Sequence, residues 1–419
     1  VSAVDRSAPG VRVTSIADPH ASGGARVDLD ARILSFAYEE SDVRIDKVSL
    51  ELDNFDGALF DRAELLGGAL LEVSWGYPGN MAPPRRVVVA KLKGFTTLTV
   101  EAHGLAHLWN DKARAMRWTS VTRSDVARAV AASHGYEGSF ALIDDTGERF
   151  DVINQAAETD AWFLRRLAAK EHFLFAIDAA GFHFHARKQT DAPERVLTYY
   201  ADLARGDIQR VSVESDLTRR TGSVTVRGRD PMKKTTVDAK SDADTAQRGT
   251  LGDILETFAG ETGEESWRPW NATESLQPSA AGSQAQAGRE ADARFTRAES
   301  ATVVLAADVV GDPSLRARSI VELQGLPPRL SGKYRVRDAK HQITGSGYAV
   351  ALKLTRDAVG RLPAAMPAKP QGGEHNDAQP KAGGELDWVQ SFEKESGAEV
   401  LESRRGNQPL GSGDPEGPK

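Results

Sequence analysis

Residues that could do chemistry together are few in this chain, and each group lacks a required part. Ser331-Gly332-Lys333-Tyr334 carries the Gly-Lys pair of a phosphate loop, in which backbone N–H groups cradle phosphate oxygens and a following hydroxyl holds the metal. Pro327 occupies the position five before Gly332, where glycine is required, and Tyr334 stands where Ser or Thr belongs. Gly332 therefore reads as the turn residue before a strand. Asp145-Thr146-Gly147 matches an aspartic-protease triplet, but that chemistry needs two carboxylates sharing a proton, and no second Asp-Thr-Gly or Asp-Ser-Gly exists. His183 and His185 project from one face of a strand at a spacing suited to a shared metal, with no third ligand identifiable. They read as polar positions opposite Phe182 and Phe184. A calcium loop beginning at Leu52 has no ligand at its first position or at its last, Ala63. G-x-S-x-G, H-E-x-x-H and G-x-G-x-x-G are absent. No catalytic residue, metal ligand or cofactor site is assigned. A cell-wall hydrolase acting through acidic residues such as Asp144 and Asp145, and a metal-dependent binding module using His183 and His185, are the competing readings.

Composition narrows the classes further. With no cysteine among 419 residues, disulfides, thiolate metal sites and cysteine nucleophiles are excluded. The 53 basic against 60 acidic residues give a net charge of −7, which argues against sequence-specific nucleic-acid binding through a dominant basic surface. No apolar run approaches the ~18 residues of a membrane-spanning helix. The opening residues show no basic region followed by an apolar stretch, so a cytoplasmic assembly site is expected.

The elements that must position these residues are mainly strands. Arg26–Phe36, Lys47–Leu52, Leu70–Trp75 and Val87–Leu92 alternate or run in short apolar bursts between turn residues. In TSVTRSDVARAVAASHGY, Ser124 is the expected N-cap of a helix that stops at Gly135. In ETDAWFLRRLAAKEHFLFAIDAAGFHFHAR, Thr159 or Asp160 caps a second helix, whose period then changes to a hairpin turning at Asp178–Gly181. Strand character over Ile208–Arg227 is interrupted by an insertion with a helix near Ala285–Glu299. It resumes from Thr302 and ends in a hairpin, Ser331–Arg356, in which an extra residue near Arg337-Asp338 predicts a bulge. Leu70-Leu71-Glu72-Val73 is echoed by Ile320-Val321-Glu322-Leu323, each followed by a Pro-Pro loop and basic residues, so two related sheets are expected. The last section is Pro/Gly/Ala-rich and reads as a linker or disordered tail. Within it lies an island, residues 385–394, whose Leu386, Trp388, Val389 and Phe392 read either as an incidental cluster in the tail or as a docking peptide that orders on a partner.

Three stretches together resemble one family. TRSDVARAVAASHGY, the helix–hairpin segment quoted above, and GDPSLRARSIVELQGLPPRLSGKYRVRDAKHQITGSGYAVALKLTR are similar to the phage late control D family of contractile-tail baseplate hubs. That hub module is shared with the valine-glycine repeat spike proteins of type VI secretion. The similarity spans Val11–Arg356, and its most specific part contains Gly332, Tyr334, His341, Gly347, Tyr348 and Arg356 as structural motif residues. It implies an α+β, mainly β fold with two tube-protein-like antiparallel β-barrel domains carrying α/β insertions. The expected division is 1–103 for the first barrel, 104–195 for an α+β domain, 196–232 with 301–358 for the second barrel, 233–300 for an insertion and 359–419 for the tail. It further implies a homotrimer joining a sixfold inner tail tube to a threefold spike, with spike, tube and other baseplate proteins as partners. The particle is a phage virion tail, a tailocin or an injection system. His172 and Arg318 replace turn glycines of the family pattern, Arg318 the less comfortably. No spike domain follows Arg356, so the membrane-piercing tip is expected on another polypeptide.

Overall fold

The computed structural model describes residues 8–357 except 20–23, 30, 179, 188–191, 200–205, 215–220, 231–232, 243–244, 246–250, 252–272, 280 and 329. All lie in the first of two units, Val1–Pro367; the island at 385–394 lies outside the described residues.

Eight strands come first: β1 (Gly10–Ile16), β2 (Ala25–Arg26), β3 (Ile33–Ser41), β4 (Lys47–Asp53), β5 (Leu70–Tyr77), β6 (Asn80–Met81), β7 (Arg85–Gly94) and β8 (Thr97–Gly104). An α/β segment follows, made of β9 (Ala113–Thr122), α1 (Arg123–Ser133), β10 (Ala141–Ile143), β11 (Arg149–Thr159), α2 (Asp160–Glu171), β12 (Phe173–Asp178) and β13 (Gly181–Ala186). The chain continues through β14 (Arg195–Thr198), β15 (Ile208–Val213), β16 (Thr221–Arg229), β17 (Thr236–Asp242), β18 (Thr273–Pro278) and α3 (Gln284–Glu299). It closes with β19 (Val303–Val310), β20 (Ile320–Gln324), β21 (Gly332–Thr344) and β22 (Gly347–Arg356). The fold is mainly β, as expected.

Fourteen strands form one sheet in the order β15-β19-β22-β21-β3-β4-β8-β7-β5-β1-β2, with β20 on β21, β14 on β20 and β6 on β5. The path does not close among the described residues. One apolar cluster runs beneath it from Val13 through Trp75 and Val100 to Leu354, because strict alternation turns every second side chain to the same face. In β22, Tyr348, Val350, Leu352 and Leu354 are buried, as the alternation predicts.

Register shows that the sheet is a duplication. Leu70, Leu71, Glu72 and Val73 of β5 pair with Val88, Val87, Arg86 and Arg85 of β7. Ile320, Val321, Glu322 and Leu323 of β20 pair in the same way with Arg335, Tyr334, Lys333 and Gly332 of β21. The sequence echo is thus a structural equivalence. It extends along the sheet: β7 and β8 slip register between Val89 and Lys91, β21 and β22 between Val336 and Asp338, where the bulge was predicted. β3 slips against β4 between Ile33 and Ser35, and β15 against β19 between Ile208 and Arg210. One half is therefore β1-β5-β7-β8-β4-β3 and the other β14-β20-β21-β22-β19-β15. They differ at the first strand, since β1 lies antiparallel to β5 and β14 parallel to β20.

Three departures concern local structure. Thr122, not Ser124, caps α1: its hydroxyl accepts the Asp125 N–H and the Asp125 carboxylate accepts the Thr122 N–H, a reciprocal capping box. The run Ile208–Arg227 does not stay in one sheet, because β16 leaves to form a three-stranded sheet with β17 and β18. Val224, Val226, Val237 and Ala239 of that sheet bury against Ala287, Ala291 and Phe295 of α3. Finally, β9 and β11 make a long two-stranded ribbon that flanks the helices.

Candidate functional site: the seam between the two halves

The halves meet where β3 pairs antiparallel with β21, from Ser41 opposite Asp338 to Phe36 opposite Ile343. Alternation along β3 sends Phe36 and Tyr38 inward, and both are buried against Trp75 of β5, at ring separations of 5.4 Å and 4.4 Å. His341, opposite Tyr38, completes the cluster 5.1 Å from the Trp75 ring.

His341 is 1% exposed, and both ring nitrogens are used. Nε2 lies 2.9 Å from the Leu315 carbonyl oxygen, which can only accept, so Nε2 carries the proton. Nδ1 then accepts from the Tyr348 hydroxyl at 2.7 Å. Burial pushes the imidazole down to about 4, so it is neutral, and pushes the Tyr348 phenol well above its ordinary value. This geometry fixes a corner of the sheet and leaves the histidine no lone pair for a metal or a substrate. Gly311, of the Gly-Asp-Pro turn, is required beside it, since a Cβ there would stand 2.3 Å from the Tyr348 ring.

An ion cluster locks the other end of the seam. Arg318 adopts φ +72°, a left-handed conformation that disfavours a side chain by about 1–2 kcal/mol. Its guanidinium donates to Glu40 at 3.1 Å, to Asp46 at 3.0 Å and to the Ser41 carbonyl at 2.8 Å. Burial alone would lower the Arg318 pKa, but the Asp46 and Glu40 carboxylates outweigh it and raise it. Glu40 also accepts the Ala317 N–H at 3.1 Å, and Asp46 accepts from Tyr38 at 3.1 Å. These charge-assisted bonds offset the backbone cost, and they tie the loop before β20 to β3. Arg318 is therefore a cross-half clamp. His172 is simpler: at φ +56° it ends α2, its N–H donating to Ala168 O.

The remaining motif residues hold the end of the second half. Gly332, at φ +113°, starts β21, and Gly347, at φ +124°, closes the β21–β22 hairpin. The Arg356 side chain is fully buried, donates to Ser331 O at 2.8 Å and lies 4.3 Å over the Tyr334 ring. The Tyr334 hydroxyl donates to Leu330 O at 2.8 Å, and burial raises its pKa to about 12. Gly332-Lys333 thus belongs to a capped strand start.

The other sequence candidates also hold structure. Asp145 accepts from Ser124 Oγ and Gly147 N, both at 3.0 Å, bonds that lower its pKa, and Asp144 accepts from Ala186 N at 2.9 Å. His183 Nε2 lies 2.9 Å from Asp178 Oδ1, a contact made because the hairpin sets Asp178 opposite Gly181. Burial would raise the Asp178 pKa, but His183 outweighs it and lowers it. No group of three His, Asp or Glu side chains suited to a metal occurs among the described residues.

This fold, a duplicated, bulged sheet with helices on inserted segments, is similar to that of solved phage tail proteins. The structure is similar to a tail protein from Neisseria meningitidis MC58, with TM-score 0.59 and 14% identity over 83% of this chain and 97% of that one. It is equally similar to a 43 kDa tail protein of prophage MuSo2 from Shewanella oneidensis, with TM-score 0.58 and 14% identity over 84% of this chain and 100% of that one. A chain of the Francisella PdpA-VgrG complex matches with TM-score 0.51 and 9% identity, over 85% of this chain and 60% of its own length. The expected likeness in fold to tail proteins and to a chain of a VgrG complex is borne out. No protein-family profile matches the chain, and no curated protein matches its sequence.

Proposed function

We propose that the chain is the structural hub of a contractile tail or injection particle. It acts as a homotrimer in which three chains supply six equivalent sheet halves and adapt a sixfold inner tube to a threefold spike. The observation that carries this reading is the pair of register-matched halves already joined edge to edge within one chain. The likeness in fold to tail proteins supports a place at the tube–spike end. The inner tail-tube protein, the spike and other baseplate proteins are then its partners, with assembly in the bacterial cytoplasm before incorporation into the particle. Gly332, Tyr334, His341, Gly347, Tyr348 and Arg356 act as structural residues, and the protein turns over no substrate. Mass photometry and electron microscopy of the purified full chain test the reading. A ring of three chains, alone or with tube or spike protein added, is expected. A monomer at micromolar concentration that neither protein recruits would overturn it.

A further inference from the structure

The duplication leaves two sheet edges that correspond, strand for strand, to the edges buried in the seam. Within the chain, β3 of the first half takes the outer edge of β21 of the second. The counterpart of β3 is β15, and the counterpart of β21 is β7. β15 hydrogen-bonds to β19 on one side, and beyond Ile208 no strand pairs with its other side among the described residues. β7 pairs with β5 only from Arg85 to Val88, so Lys91–Gly94 is paired with β8 alone. Exposure marks the difference: Tyr38 in the seam is 1% exposed, and its counterpart Val213 is 49% exposed.

We infer that Val213, at the end of β15, and Glu214 of one copy pair antiparallel with Gly94 and Lys93 of the next copy, in the register of the internal seam. The inference rests on the hub reading and specifies its interface. In the seam, Lys340 faces Glu39 across the strands and their charged atoms are 3.2 Å apart. The matching registers place Lys93 where Lys340 stands and Glu214 where Glu39 stands. The pair that would form between copies is therefore again a lysine and a glutamate, with Gly94 opposite Val213. Lysine on a free edge often serves to block pairing. Here the counterpart lysine sits on a paired edge, bonded to its partner strand. Because two different edges meet, the contact is head-to-tail, and repeating it either closes a ring or grows a filament.

The absence of cysteine makes the register directly testable. The full-length chain carrying Lys93→Cys with Glu214→Cys is oxidised mildly and run on a non-reducing gel. Disulfide-linked dimers and trimers are expected from it. An equal mixture of the two single variants, with one cysteine per chain, should yield disulfide-linked dimers only. A control with Lys93→Cys and Ser212→Cys, two residues out of register, should link at least several-fold less. If the protein assembles by mass photometry but the in-register pair does not cross-link, or links no better than the control, the register is wrong and the hub reading stands. A protein that stays monomeric with tube and spike proteins present overturns both.

Discussion

The neutral, buried His341 makes the seam sensitive to acid in a way that can be calculated. In the unfolded chain the imidazole titrates near 6.5, and in the folded protein burial holds it at about 4. The unfolded state therefore binds the proton first, and stability is lost as pH falls from about 6.5 to about 4, with no further loss from this group below that. The difference of about 2.5 units corresponds to about 3 kcal/mol. Protonation would also cost Nδ1 its role as acceptor for the Tyr348 hydroxyl. Trp75, 5.1 Å from the imidazole, gives a fluorescence signal for unfolding. Urea titrations at pH 7, 5.5 and 4 on the wild type and on His341→Gln cancel the contribution of the carboxylates common to both. The variant should be the less stable at pH 7, and the gap should shrink by about 3 kcal/mol by pH 4. Parallel pH curves for the two proteins would refute the assignment of a neutral, tautomer-fixed histidine.

Three other outcomes are expected. Arg318→Ala leaves Glu40 and Asp46 buried without their cation and should cost about 3–5 kcal/mol in chemical denaturation, more than Arg318→Ala combined with Glu40→Gln. Chelation should leave the thermal midpoint unchanged, and elemental analysis should find no stoichiometric zinc, because His183 is already engaged by Asp178; a chelator-sensitive midpoint would restore the metal reading. Trp388→Ala with Phe392→Ala should leave ring formation intact and reduce incorporation of one partner into purified particles, as read by mass spectrometry; unchanged particle composition would remove the docking role of the tail.

The legible parts of the fold were those set by local pattern. Alternation located β22 and its buried face, a change of parity located the bulge after Val336, and Thr159 stood out as the cap of α2. The echo at Leu70 and Ile320 was readable because equivalent strands face equivalent environments. The ribbon of β9 and β11 was missed because its residues are largely exposed on both faces, which leaves no period to read. The capping box at Thr122 was obscured by Ser124, which has the right chemistry and instead bonds Asp145. Arg318 was readable as an uncomfortable residue but not as a clamp, since Glu40 and Asp46 lie on the far side of the chain in sequence. The Asp178–His183 contact carried a usable signal, a carboxylate just ahead of a hairpin whose return strand holds the histidine.

The pairing of β3 with β21 also sets a schedule for the chain's birth. Ser41 Oγ bonds Asp338 Oδ1 across 297 positions of sequence, which at ribosomal speeds of 5–20 residues per second separates their emergence by roughly 15–60 s. Through that interval the nascent β3 stands with a bare edge and a greasy face, awaiting a mate still being translated. For that long the edge is open to pairing with whatever strand reaches it first.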